Sequence, residues 1–142
     1  MKNINHKNCV KLIELLKNED KFFIVQELML GGDLYKYSVC KPEYFTKEVV
    51  AKILIQLLEG LNYLHGMNIV HRDIKLENVL LENKMTRDNL YPVVKIADFG
   101  LSSYLDPRLQ GLNRFCGTPG YMAPEVLKHP KNPSTLDTRY RS

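Results

Sequence analysis

The stretch His71-Arg72-Asp73-Ile74-Lys75-Leu76-Glu77-Asn78 lies between two short apolar pieces, Ile69-Val70 and Val79 to Leu81. Strand-like pieces on either side turn the polar residues into a loop, where a rigid frame can present chemistry. Asp73 can accept a proton from a hydroxyl, Lys75 can neutralise a phosphoryl oxygen, and Asn78 offers a hard oxygen suited to Mg²⁺. Any one of these residues alone is ordinarily a solvated loop residue. Five fixed positions together reverse that weighting, because a chance match at about one in twenty per position arises on the order of once in ten thousand chains of this length.

Two further clusters follow downstream. Ala97-Asp98-Phe99-Gly100 comes directly after the strand-like Val93-Val94-Lys95-Ile96, which places a carboxylate at a strand end. Asp and Gly after a strand usually mark only a turn. Cys116-Gly117-Thr118-Pro119-Gly120-Tyr121-Met122-Ala123-Pro124-Glu125 reads by itself as a Pro/Gly loop before a helix.

The order and spacing of the three clusters resemble the protein kinase family, whose signature set runs catalytic loop, Asp-Phe-Gly and Ala-Pro-Glu. The resemblance spans Ile4 to Glu125. Lys75 and Gly117-Thr118-Pro119-Gly120-Tyr121 look like the serine/threonine branch, and within it like calmodulin-dependent and related kinases. The resemblance implies an α+β fold of protein-kinase type in partial form: the end of the N-lobe sheet and hinge (1–30), a mainly helical upper C-lobe with catalytic loop and activation segment (31–125), and a tail (126–142) that lacks the family's pattern.

It also implies roles for individual residues. Asp73 would deprotonate a Ser or Thr hydroxyl of a protein substrate, Lys75 would contact the γ-phosphate of ATP, Thr118 would brace both, and Asn78 and Asp98 would hold Mg²⁺. The nucleotide set would comprise Glu27 and Met29 at the adenine, Asp33 at the ribose, Leu80 under the ring, and Lys75, Glu77, Asn78 and Asp98 around the phosphates and metal. Gln26 falls at the gatekeeper position. Phe99, His71 and Leu12 match three positions of the apolar stack between lobes. Asp33 and Glu77 also sit where several members bind basic side chains upstream of the acceptor, so a preference for Arg or Lys there is expected.

Upstream, the apolar runs Val10 to Leu16 and Phe22 to Leu30 flank Lys17-Asn18-Glu19-Asp20, which predicts a hairpin. Asp33 can cap a short helix from Leu34. Thr46 is an N-cap for a longer helix whose Val49, Val50, Ile53, Leu54, Leu57, Leu61 and Leu64 form a core-facing stripe, with Gly66 as its stop. The stretch Glu82 to Pro92 reads as a surface insertion.

Other features bound the function. The 142 residues carry 20 Lys plus Arg against 16 Asp plus Glu, a formal net charge of +4, with both signs interleaved. No basic block suggests nucleic-acid binding. With 44% hydrophobic and 25% charged residues the composition is that of a soluble globular protein. Cys9, Cys40 and Cys116 fit neither a disulfide framework nor a thiolate zinc site. Together with the absence of a signal-like or membrane-spanning apolar run, they predict an intracellular, cytoplasmic protein without membrane contact. Oligomeric state is not legible.

The family's glycine-rich loop, strand lysine and helix-borne glutamate have no counterpart in the chain, and neither Lys2 nor Lys7 lies in a matching strand. The lower-lobe partner expected for Glu125 does not appear in Val126 to Ser142. Arg114 stands just before Phe115, where the family's phosphorylated Thr sits, leaving Ser102, Ser103 and Tyr104 as weaker acceptors. Residues 1–142 alone are therefore expected to transfer little phosphate. The alternatives are a catalytically inactive kinase remnant that binds nucleotide or protein, and a small-molecule phosphotransferase, which the Ala-Pro-Glu segment disfavours.

Overall fold

The longest element owes its start to a cap and its position to one stripe of aliphatic residues. In the computed structural model, which describes residues 3–105 and 116–128, helix α2 (Lys47–Gly66) begins where Thr46 Oγ1 accepts from Val49 N at 3.3 Å. That bond satisfies one of the donors a helix start leaves open, and Glu48 in the first turn complements the helix dipole. The expected position of Arg114 and the tail from 129 onward lie outside the described residues.

Before α2 come hairpin β1 (Leu12–Lys17) and β2 (Phe22–Gln26), paired antiparallel as the apolar runs predict. Asn18 closes the turn by accepting from Asp20 N and Lys21 N at 3.1 and 2.7 Å. A three-stranded antiparallel sheet then joins β3 (Gly32–Asp33), β5 (Val79–Leu81) and β6 (Val94–Ile96) in that order. Helix α1 (Leu34–Cys40) starts on Asp33, whose Oδ1 accepts from Lys36 N at 2.8 Å. The short strands β4 (Ile69–Val70) and β7 (Ser103–Tyr104) pair antiparallel, and α3 (Pro124–Lys128) closes the described chain.

Two apolar cores meet along α2. Val49 and Ile53 pack with Leu34, Val79, Leu81, Met85 and Val94, whereas Leu64 packs with Ile4, Cys9, Ile69, Ile96 and Phe99, and Leu57 borders both groups. The helix comes close to the sheet at Gly60, where a Cβ would sit 3.0 Å from Asn8 O and 3.1 Å from Ile96 Cδ1. Cores packed this tightly leave little room for an added methyl group.

The structure corrects two details of the sequence reading. Val50 and Leu54 are 37% and 51% exposed, so the buried stripe is narrower than the run of aliphatic residues. Helix α2 does end at Gly66 as expected, and the left-handed turn after it is taken by Asn68 at φ 56°. The stretch Glu82 to Pro92 is not purely surface: Met85 is buried in the first core, and its N–H donates to Tyr37 Oη at 3.2 Å. Gln56 Nε2 donates to Pro92 O at 3.2 Å, and the Lys52 ammonium lies 3.6 Å from the Tyr91 ring centre, which ties the stretch to α2.

The two faces of α2 differ in what they contribute. Leu64→Ala is expected to lower the unfolding free energy by about 2–5 kcal/mol, and Leu54→Ala by less than about 1 kcal/mol. Urea unfolding of both variants checks this, and equal losses would show that the outward face is also buried in solution.

Candidate active site

Strand β4 delivers its chain directly into the polar loop that follows. Arg72 adopts φ 70°, a left-handed conformation that side chains rarely take, and its Nε donates to Leu101 O at 2.6 Å. His71 is buried; its Nε2 donates to Ala97 O at 2.9 Å while Nδ1 accepts from Asp73 N at 3.3 Å. These two bonds specify the neutral tautomer with the proton on Nε2. Burial lowers the His71 pKa, which keeps it in that form. Its ring also meets Phe99 edge-on, with centres 5.2 Å apart. Three contacts therefore tie residues 71–72 to the segment 97–101. Leu12, the third expected member of that apolar stack, opens β1 opposite Gln26.

A single 3₁₀ turn, Leu76–Asn78, swings Asn78 back over the loop. Asn78 Nδ2 donates to Asp73 O at 2.9 Å and to Asp73 Oδ2 at 3.1 Å, and Asn78 O accepts from Ala97 N at 2.8 Å. From the other side comes Thr118. Gly117, at φ 125°, lets the chain approach so closely that a Cβ would stand 2.9 Å from Arg72 O. Thr118 Oγ1 then donates to Asp73 Oδ1 at 2.6 Å and accepts from Lys75 Nζ at 2.8 Å, while Lys75 Nζ lies 3.1 Å from Asp73 Oδ2. Four residues spread over 45 positions thus share one hydrogen-bonded knot.

The knot has definite electrostatics. Burial raises the Asp73 carboxyl, but bonds from Thr118 and Lys75, the Lys75 charge and the Asn78 amide outweigh it, so its pKa lies below the ordinary value. The bond to Asp73 raises the Lys75 ammonium, which is further favoured by the nearby charges of Glu77 and Asp98. Glu77 accepts from Tyr121 Oη at 3.4 Å. Asp98, at φ 56°, accepts from Gly100 N at 3.1 Å through Oδ1.

Among the described residues no group of three or more His, Cys, Asp or Glu side chains could hold a metal ion by itself. The two residues expected at a metal, Asn78 and Asp98, offer one amide oxygen and one carboxylate. Such a set suits Mg²⁺, which keeps waters and completes its sphere with phosphate oxygens, and does not suit an all-protein cage.

The expected nucleotide-facing residues form a second group. Asp33, Leu80 and Lys95 lie directly opposite one another across β3, β5 and β6, and therefore on one face of the sheet. Asp33 uses Oδ1 to cap α1. Met29 follows β2 half-buried, and Glu27 turns its carboxylate to Lys95 Nζ at 2.7 Å and to Lys11 N at 2.8 Å. Burial raises the Glu27 carboxyl, and the bonds from Lys95 and Lys11 overcome this to lower it. Among the described residues no hydrogen bond joins this group to the Asp73 knot.

Sequence reasoning missed Lys95 and Asn8. Lys95 carried a signal, a charge inside the apolar run Val94 to Ile96. Asn8 carried none, because its buried amide donates to Val94 O at 2.9 Å and Gln56 Oε1 at 3.2 Å, both far along the chain.

Residues 1–138 match the family model described as Protein kinase domain. Myosin light chain kinase A of Dictyostelium discoideum is 42% identical over 127 residues, 89% of this chain and 41% of that protein. The phosphorylase b kinase gamma catalytic chain, liver/testis isoform, of Rattus norvegicus is 41% identical over 123 residues, 87% of this chain and 28% of that protein. A calcium/calmodulin-dependent protein kinase of Emericella nidulans is 39% identical over 127 residues, 89% of this chain and 30% of its own length. The chain thus spans less than half the length of these curated relatives. With a family match over nearly all its residues, and with the catalytic-loop residues gathered as described, the chain belongs to the protein kinase family, in its serine/threonine branch.

Proposed function

We propose that this chain carries the catalytic loop, metal-binding Asp and activation segment of an ATP-dependent protein kinase that phosphorylates Ser or Thr hydroxyls of protein substrates. The observation that carries the reading is the Thr118 hydroxyl set between Asp73 and Lys75 at 2.6 and 2.8 Å, with Asn78 on the same carboxylate. Asp73 is anionic at neutral pH and accepts the hydroxyl proton of the acceptor. Lys75 stands beside it as the cation that meets the transferring phosphoryl group. Phosphoryl transfer asks mainly for positioning and charge stabilisation, which a pre-bonded anion and cation supply without reorganisation.

Asn78 and Asp98 would hold Mg²⁺, which would supply charge neutralisation for the nucleotide's phosphates. Glu27 and Met29 read the base through their backbone groups, Leu80 forms the floor beneath it, and Asp33 meets the ribose. Glu77, exposed beside Tyr121, supports a preference for basic residues upstream of the acceptor. The three cysteines are free, which supports an intracellular setting. No described helix is long and apolar enough to cross a membrane.

Transfer of labelled phosphate from ATP to a basic protein acceptor, by the longest form of the protein that contains these residues, tests the reading. Asp73→Asn is expected to reduce transfer by about 10²-fold or more, and equal transfer by both proteins would refute it. The pH response has a definite sign. The folded Asp73 pKa lies below 3.8, so the stability it contributes is fully present above that value and is lost as pH falls through the depressed one. Thr118→Val removes one of the lowering bonds, so the carboxyl should titrate at higher pH. The Asp73 carboxyl carbon shift followed by NMR against pH reads this, and an unmoved titration would show that Thr118 does not hold the charge.

A further inference from the structure

Lys95 is a buried ammonium in the middle strand position of β6, flanked along the chain by Val94 and Ile96, which enter the two cores. Its side chain leaves the opposite face and meets Glu27 Oε2 at 2.7 Å and Glu82 Oε1 at 3.6 Å. A buried ammonium is costly unless paired, and an apolar residue of similar length would fill the same space. The pair therefore calls for a reason other than bulk stability.

The reason lies in what Glu27 is attached to. Residues 27–31 bridge the hairpin to the three-stranded sheet, and both ends of the bridge are pinned. At one end Glu27 N donates to Lys11 O at 3.1 Å, and the Glu27 carboxylate joins Lys11 N to Lys95. At the other end Leu30 N donates to Glu82 O at 3.0 Å and Gly31 N to Leu81 O at 2.9 Å. Between them Leu28 is 79% exposed. Lys95 is also the third member of the row Asp33, Leu80 and Lys95 on one sheet face. It reaches from beside Leu80, the proposed base floor, to Glu27 in the segment proposed to read the base edge.

We infer that Lys95 is a positioning residue for base recognition: by holding the Glu27 carboxylate it fixes the backbone carbonyl of Glu27 relative to Leu80, and so selects adenine over guanine. This rests on the nucleotide-site reading above. The chemistry of selection is simple. Adenine offers an amino donor where guanine offers a carbonyl acceptor, so a fixed backbone carbonyl accepts from the first and repels the second. A carbonyl free to turn away loses that discrimination.

The test is equilibrium binding of Mg-ATP and Mg-GTP to the full chain and its variants. The unaltered chain should prefer ATP by about tenfold or more. Lys95→Met should weaken ATP by about tenfold while leaving GTP within about twofold, so that the preference collapses. Lys95→Arg, which keeps a cation against Glu27, should restore most of it, and Lys52→Met, which removes an exposed cation elsewhere, should change nothing. Glu27→Gln keeps an acceptor for Lys11 N but loses the charge that Lys95 meets. It should lower the preference in the same direction by about threefold, and it decides the matter if Lys95→Met does not fold. No nucleotide binding by the unaltered chain would overturn the nucleotide-site reading and this inference with it. Binding with an ATP preference that Lys95→Met and Glu27→Gln leave intact would overturn the Lys95 assignment alone. Equal weakening of both nucleotides would do the same, since it would reduce Lys95 to a structural residue.

Discussion

The Thr118 hydroxyl, donating to Asp73 and accepting from Lys75, is the constraint on which the arrangement depends. The carboxylate and the ammonium are in direct contact at 3.1 Å, and an ion pair alone leaves their relative direction loosely set. A hydroxyl both donates and accepts, so Thr118 bonds the other carboxylate oxygen and the ammonium at once and gives each a fixed direction. Because Thr118 arrives from the segment after Gly117, the knot exists only when that segment lies against the Arg72 backbone. Catalytic-loop geometry and activation-segment placement are thus one condition.

The frame around the knot is rigid for separate reasons. Helix α2 anchors two cores at once, and its near contact at Gly60 holds β6 at a set distance. Asn8 bonds β6 from the far side, as Ile96 N donates to Asn8 O and Val10 N to Ile96 O, each at 2.9 Å. Strand β6 ends at Ile96, two residues before Asp98, and Asn78 O accepts from Ala97 N in between. The residue proposed for the metal therefore inherits its position from buried bonds, and the left-handed backbone at Arg72 and Asp98 is held by the contacts around it.

Much of this was legible in local signals. Asn18 in the hairpin turn, Asp33 before α1 and Thr46 before α2 each form the bond their residue type predicts. What could not be read was anything that depends on a distant neighbour. Val50 and Leu54 are as aliphatic as Ile53, and only the placement of the sheet decides which side of α2 is covered. Met85 sits among Lys84, Thr86, Arg87 and Asp88, so a polar stretch concealed one core residue. The residues of the candidate site were found through their spacing and family likeness, whereas the Glu27 to Lys95 bond, between residues 68 positions apart, left only a misplaced charge as its trace.

The most direct test of the central claim, that loop and strand end converge on one phosphate site, is paramagnetic broadening of backbone NMR signals by Mn²⁺ with and without ATP. The donor set of one amide and one carboxylate requires phosphate oxygens to bind the ion well. The account predicts that Mn²⁺ with ATP selectively erases the signals of Asp73, Asn78, Asp98 and Gly100, and that Mn²⁺ alone at the same concentration does not. Broadening centred elsewhere, or the same broadening without ATP, would contradict it.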